Sequence, residues 1–189
     1  MTERELLIDC LGRLNEADLA YMVTGSMASN FWGIPRSTHD LDFAIQLPPA
    51  AVPRIIAAFA NDFHIDEQAV RAAYRSPFQF NAIHRGSSFK VDFWLPANTP
   101  FEREMFRRRS KQTVFGTEAW IATPEDIILH KLYWNQLTPS DRQLDDTAGV
   151  FAVQHENIDQ NYLRQWAAKL GVTETLNLLL ERKLRPKKT

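Results

Sequence analysis

Residues 19–45, LAYMVTGSMASNFWGIPRSTHDLDFAI, decide how the rest of the chain is read. The apolar run from Leu19 to Val23 is broken by Thr24-Gly25-Ser26, which predicts a buried strand ending at a glycine turn. Ser26 to Trp32 then reads as a short helix stopped by Gly33 and Pro35. From Asp40 to Ile45 polar and apolar residues alternate with period two, so Asp40 and Asp42 share one strand face while Leu41 and Phe43 share the other. Pro48 and Pro49 close that strand.

Thirteen residues separate Ser26 from Asp40, and the two ends of this segment ask for complementary chemistry. Two carboxylates at i and i+2 of a strand point the same way and can chelate one divalent ion; a third acid on a neighbouring strand allows a second. Asp92 is the candidate third acid. A glycine turn lets backbone N–H groups and the Ser26 hydroxyl approach a phosphate. The alternative for Asp40 and Asp42 is a solvated edge pair, and for Asp92 an exposed position on a half-buried strand. Like charges on one face repel unless solvated or metal-bound, which favours the site reading.

Outward from this stretch, Leu6, Leu7, Cys10, Leu11 and Leu14 recur at helical spacing and predict a helix over about 3–17 that covers a sheet. A second amphipathic helix is expected over about 50–60. Phe78–His84 and Ser88–Leu95 read as two strands of a hairpin around Arg85-Gly86-Ser87, with Lys90, Asp92 and Trp94 on one face. Trp120-Ile121-Ala122 suggests one more strand. Thr123-Pro124-Glu125-Asp126 opens a helix to about Gln136, and Ser140-Asp141-Arg142-Gln143 opens another to about Gln154. Two more are expected over about 159–170 and 174–184, divided by Gly171. The expected organisation is an α/β part over 1–117 and a helical part over 118–189.

The 189 residues suit one domain, or one domain with a small appendage. A 44% hydrophobic content supplies a core, and a net charge of −1 gives no global field toward nucleic acid or anionic lipid. Cys10 is the only cysteine, which excludes an internal disulfide and multi-cysteine zinc sites. The start lacks the pattern of a signal peptide and no apolar run is long enough for a membrane span, so a cytoplasmic location is expected.

The string GSMASNFWGIPRSTHDLDFAI resembles the G-S…R-x-T-x-D-x-D signature of the nucleotidyltransferase fold of the DNA polymerase beta superfamily, with Asp92 in FKVDFW as the third carboxylate. With its later A-T-P-E-D-x-x-x-x-K-L helix, the chain is most similar to AbiEii-type nucleotidyltransferases, the toxins of bacterial toxin–antitoxin systems. The resemblance covers about residues 19–95 and 120–150. It implies a nucleotidyltransferase-like mixed sheet flanked by helices and followed by a C-terminal helical bundle. It also implies a Mg²⁺-dependent enzyme that moves an NMP from a nucleoside triphosphate such as ATP onto a hydroxyl of RNA, such as tRNA, or of protein. Asp40 and Asp42 would bind two Mg²⁺ ions; Asp92 would complete the second ion's shell and assist deprotonation of the acceptor. Gly25 and Ser26 would bind β- and γ-phosphate oxygens.

Arg36 is a further candidate for the triphosphate and Thr38 for buttressing the metal-bearing strand, with a surface arginine and a strand-start threonine as the alternatives. Lys131 matches a lysine that can reach nucleotide phosphate, against a solvated helix residue. One of Asp145 and Asp146, adjacent on a helix and therefore facing different ways, is expected to pair with that lysine or meet the nucleotide. A cognate antitoxin would be the expected protein partner.

Two basic clusters, Arg103, Arg107, Arg108, Arg109 and Lys111, and Arg182, Lys183, Arg185, Lys187 and Lys188, can line a path for RNA or form solvated faces. Trp94 can border the base or the acceptor. His39 is expected to be structural and His130 is a weak ligand candidate. Ser26 lacks the G-x-S-x-G elbow of a hydrolase nucleophile. An antibiotic-modifying nucleotidyltransferase and a non-catalytic nucleotide- or partner-binding module are the competing functions.

Overall fold

The computed structural model describes residues 1–38, 40–87 and 89–186; the readings made of His39, Ser88, Lys187 and Lys188 fall outside these. The chain forms two compact units, one of residues 1–24 and 38–121, the other of residues 25–37 and those from 122 onward.

The first unit is built on a seven-stranded mixed sheet. Its strands are β1 (Ala20–Val23), β2 (Asp40–Gln46), β3 (Phe63–His64), β4 (Gln79–His84), β5 (Lys90–Trp94), β6 (Ser110–Val114) and β7 (Thr117–Ile121). Their order across the sheet is β3-β4-β5-β2-β1-β7-β6. β2 runs parallel to β5 and β1 to β7, while the remaining neighbours are antiparallel. The expected α/β class and the hairpin of β4 and β5 are both present.

Period-two alternation gives this sheet its two chemically different faces. On one face Phe43 of β2 stands in register with Phe93 of β5, and Phe93 with Phe80 of β4. The three rings stack, with centroids 5.7 Å and 5.0 Å apart along the row. Phe59 meets Phe93 edge-on at 5.3 Å, so the aromatic row joins the sheet to helix α3 (Val52–Phe59). One residue back in the same register lie Asp42, Asp92 and Asn81, on the opposite face. The aromatic core thus holds the backbone that carries the carboxylates.

Helix α1 (Glu3–Glu16) begins with a Thr2/Glu5 capping box and buries Leu6, Leu7, Cys10, Leu11 and Leu14, the face expected from spacing. The second amphipathic segment starts as a 3₁₀ turn at Pro49–Ala51 before α3. Four elements were not expected from the sequence: β3, α4 (Glu67–Ala72), α5 (Pro100–Arg108) and β6.

The second unit contains α2 (Gly25–Trp32), α6 (Pro124–Leu137), α7 (Asp141–Gln154), α8 (Gln160–Leu170) and α9 (Thr173–Leu180). Thr123 caps α6, with Pro124 in its first turn. Ser140 occupies the cap position of α7, but its hydroxyl makes no capping hydrogen bond; its N–H donates to Asn135 Oδ1 at 2.9 Å. At the end of α2, a Cβ on Gly33 would lie 2.6 Å from the backbone nitrogen of Val150, so only glycine admits this approach to α7. The Trp32 indole N–H donates to the Ala122 carbonyl at 2.8 Å, and the Gln154 amide donates to the Trp32 carbonyl at 2.9 Å. These contacts explain why residues 25–37 group with the helices after 122. No described helix is long and apolar enough to cross a membrane.

Candidate functional site

The parallel pairing of β2 with β5 sets Asp42 beside Asp92 and Asp40 beside Lys90. Since strands in a sheet lie about 4.8 Å apart, three carboxylates and one ammonium share a patch of polar sheet face. Asp40 is exposed, Asp42 half-buried and Asp92 only 5% exposed. The Trp94 indole N–H donates to Asp42 Oδ1 at 3.3 Å. The Lys90 ammonium lies 2.8 Å from Asp92 Oδ2. That hydrogen bond, helped by attraction to Asp92, Asp40 and Asp42, outweighs the opposing effect of burial and holds the lysine above its ordinary pKa. The Thr24 N–H donates to the Asp42 carbonyl at 3.0 Å, and the Thr38 hydroxyl to the Asp40 carbonyl at 3.4 Å.

Asp92 Oδ1 is buried and accepts no hydrogen bond from any described residue. A buried carboxylate oxygen without a donor is costly, and a cation is the group that satisfies it most directly. Among the described residues no three His, Cys, Asp or Glu side chains are gathered as a metal-holding group: Asp92 is turned toward Lys90 and Asp42 toward Trp94. The donor set itself, all carboxylate oxygen with one atom orphaned, fits a hard divalent cation such as Mg²⁺.

A second cluster lies within the helical unit. Gly25 opens α2 with φ 58°, a left-handed conformation that favours glycine. Ser26 follows, and its hydroxyl oxygen accepts from Arg36 Nη2 at 2.8 Å. The same guanidinium grips Asp146 with two bonds, Nε to Oδ1 at 2.6 Å and Nη2 to Oδ2 at 2.7 Å. Lys131 Nζ reaches Asp146 Oδ2 at 2.8 Å and Gln143 Oε1 at 3.1 Å. Lys131 is therefore a buried, paired residue, and the surface-arginine and solvated-lysine alternatives do not describe these side chains. Of the two adjacent acids, Asp146 is the one turned inward, 7% exposed, while Asp145 is half-buried. Burial raises the Asp146 pKa, but the Arg36 hydrogen bonds and the Lys131 charge outweigh it and hold the carboxyl below its ordinary range. Gln143, expected only as part of the opening turn of α7, is a further partner of Lys131.

His130 accepts from the Trp134 indole N–H through Nε2 at 2.8 Å, which requires that nitrogen to be unprotonated. Burial, with the adjacent Lys131 charge, lowers its pKa to about 4. The unfolded value near 6.5 lies above the folded one, so the stability due to neutral His130 is complete above about pH 6.5. It is lost as the pH falls toward about 4. Urea titrations at pH 7 and pH 5 are expected to show a smaller loss between the two in His130→Gln than in the unmodified protein.

The first basic cluster is largely compensated within the fold. Arg107 pairs with Glu104, Lys111 with Glu118, and Arg103 hydrogen-bonds Asn98. The Arg109 guanidinium lies over the rings of Phe106 and Trp120. In the second cluster Lys183 pairs with Glu181 and Arg185 donates to the Arg182 carbonyl.

A seven-stranded mixed sheet with an aspartate pair beside a third aspartate, accompanied by a helical unit, is a nucleotidyltransferase-like architecture. Solved structures agree. The antibiotic-resistance factor ANT(2″)-Ia matches with a TM-score of 0.62 at 13% identity, over 93% of this chain and 96% of that one. An antigenic nucleotidyltransferase-like protein from Paracoccidioides brasiliensis matches at 0.58 and 15%, over 98% and 94%. The lincosamide antibiotic adenylyltransferase LnuA, with lincomycin bound, matches at 0.57 and 10%, over 81% and 98%. At these identities the likeness is one of fold. No protein-family model matches the sequence, and no curated protein sequence does.

Proposed function

We propose that the protein is a nucleotidyltransferase that moves a nucleoside monophosphate from a nucleoside triphosphate onto an acceptor hydroxyl. One observation carries this reading: the register that sets Asp42 against Asp92 on neighbouring parallel strands, with Asp40 on the same face. Asp40, Asp42 and Asp92 are the residues to hold two Mg²⁺ ions. Bound there, the ions supply charge neutralisation for the triphosphate and acidify the acceptor hydroxyl. The acceptor oxygen forms the new bond to the α-phosphorus, the bond to the bridging oxygen of the β-phosphate breaks, and pyrophosphate leaves. Asp92, buried and carrying an orphan oxygen, is the group to receive the hydroxyl proton. Gly25 and Ser26 take β- and γ-phosphate oxygens, and Arg36 and Lys131 lend positive charge to the triphosphate, their directions fixed by Asp146.

A small-molecule acceptor is favoured over RNA because Arg103, Arg107, Arg109 and Lys111 are engaged with Asn98, Glu104, aromatic rings and Glu118 in turn. ANT(2″)-Ia and LnuA, both antibiotic-linked, share the fold over nearly their whole lengths. Incubation with each α-labelled nucleoside triphosphate and Mg²⁺, beside a panel of aminoglycosides and lincosamides and a fractionated extract, tests both parts. Label on a small hydroxylated compound is the expected result. Label on tRNA or protein would keep the transferase and replace its acceptor with that of a toxin checked by a cognate antitoxin. Binding of nucleotide with no label transferred would leave a non-catalytic binding module.

A further inference from the structure

The proposed metal site already contains a cation. Lys90 is the register partner of Asp40 and lies two residues before Asp92 on the same strand face. Its ammonium sits 2.8 Å from Asp92 Oδ2. The two partners differ in freedom: the Asp92 side chain is 8% exposed and the Lys90 side chain 44%. The carboxylate is fixed in the sheet, whereas the long lysine stem reaches it from solvent and can leave without disturbing packing.

We propose that Lys90 is the resident counter-ion of this carboxylate set, holding the position of the second divalent cation at Asp92 until that cation displaces it. The inference rests on the nucleotidyltransferase reading of the site and deepens it. It makes the nucleotide-free protein a one-ion protein, with Asp40 and Asp42 as the ligands first loaded. The second ion enters only when Lys90 gives up Asp92. The state of Asp92 fits this role: its Oδ2 is held by the ammonium and its Oδ1 is buried, so neither oxygen is open to a second ion until Lys90 moves.

Mn²⁺ binding without nucleotide, followed at fixed pH by the loss of free-ion electron paramagnetic resonance signal, tests the proposal without relying on turnover. The unmodified protein is expected to bind one Mn²⁺. Lys90→Met is expected to bind a second, or to tighten binding roughly tenfold, the scale on which a neighbouring charge moves a carboxylate equilibrium. Lys90→Arg keeps the charge and is expected to behave as the unmodified protein, which a purely steric effect would not predict. Adding Asp92→Asn to Lys90→Met should remove the gain. Identical binding by the unmodified protein and Lys90→Met, abolished in Asp42→Asn, would overturn the role of Lys90 while leaving the metal-site reading in place. No Mn²⁺ bound by any variant would overturn both.

Discussion

Asp42→Asn is expected to lose nucleotidyl transfer by at least about 10²–10³-fold, the scale on which removal of one preorganised electrostatic partner of a transition state is felt. The same change is expected to leave the fold as stable as before, or more stable. Asparagine has nearly the same shape, and its Oδ1 can still accept the Trp94 indole N–H that Asp42 Oδ1 accepts at 3.3 Å. The strand is held by its ladder to β5 and by the Thr24 N–H bond to the residue 42 carbonyl, neither of which uses the side chain. What is removed is one of three like charges on a single face, whose mutual repulsion opposes folding in the metal-free protein. A structural aspartate would behave in the opposite way, giving lower stability and little direct effect on transfer. Thermal melting and transfer rates on the same preparation separate the two; a variant that melts earlier yet still transfers label would contradict the assignment.

Asp146→Ala is expected to destabilise the helical unit by about 3–5 kcal/mol, the usual effect of removing one partner from a buried ion pair. The carboxylate is almost fully buried and is held by the bidentate Arg36 guanidinium and by Lys131, whose side chain is 6% exposed. Alanine would remove the carboxylate that both cations share, and Arg36 would also lose the partner that aims it at Ser26. In a chain of this size the loss corresponds to roughly 10 °C in Tm. Because Asp146 is held below the ordinary carboxylate range, its contribution is complete above about pH 4 and falls away as acid protonates it. The difference between Asp146→Ala and the unmodified protein should therefore shrink on acidification below that value. A melting temperature unchanged at neutral pH would mean that the cluster is not coupled to folding.

How far the chain could be read from its sequence follows from what each feature depends on. The D-L-D-F-A-I alternation specifies by itself which side chains share a face, and Asp40 and Asp42 oppose Leu41 and Phe43 as that period requires. The Thr2/Glu5 box and Thr123-Pro124 are local signals, and α1 and α6 start at them. Helix α5 carries the same kind of signal in Thr99-Pro100, with Phe101, Met105 and Phe106 as its buried face, although the run of arginines at its end masks the apolar period. β6 alternates polar residues at the sheet edge, where no apolar period marks a strand.

Nonlocal relations were out of reach. The choice of Asp146 over Asp145 depends on where Arg36 and Lys131 lie around α7, and adjacent helix positions look alike until those partners are placed. The engagement of Lys90 with Asp92 and the register that sets Asp42 beside Asp92 depend on which strand adds to β2 and in what alignment. Nothing in the composition of residues 25–37 ties them to α7; the tie is the close approach at Gly33.

The most direct measurement is transfer of α-label from a nucleoside triphosphate by the unmodified protein with Mg²⁺, repeated with a chelator and with Asp42→Asn. Label on an acceptor with Mg²⁺, and on none in the other two reactions, is the expected result. Label transferred equally by Asp42→Asn, or in the presence of the chelator, would contradict the central claim that Asp40, Asp42 and Asp92 form the transfer site.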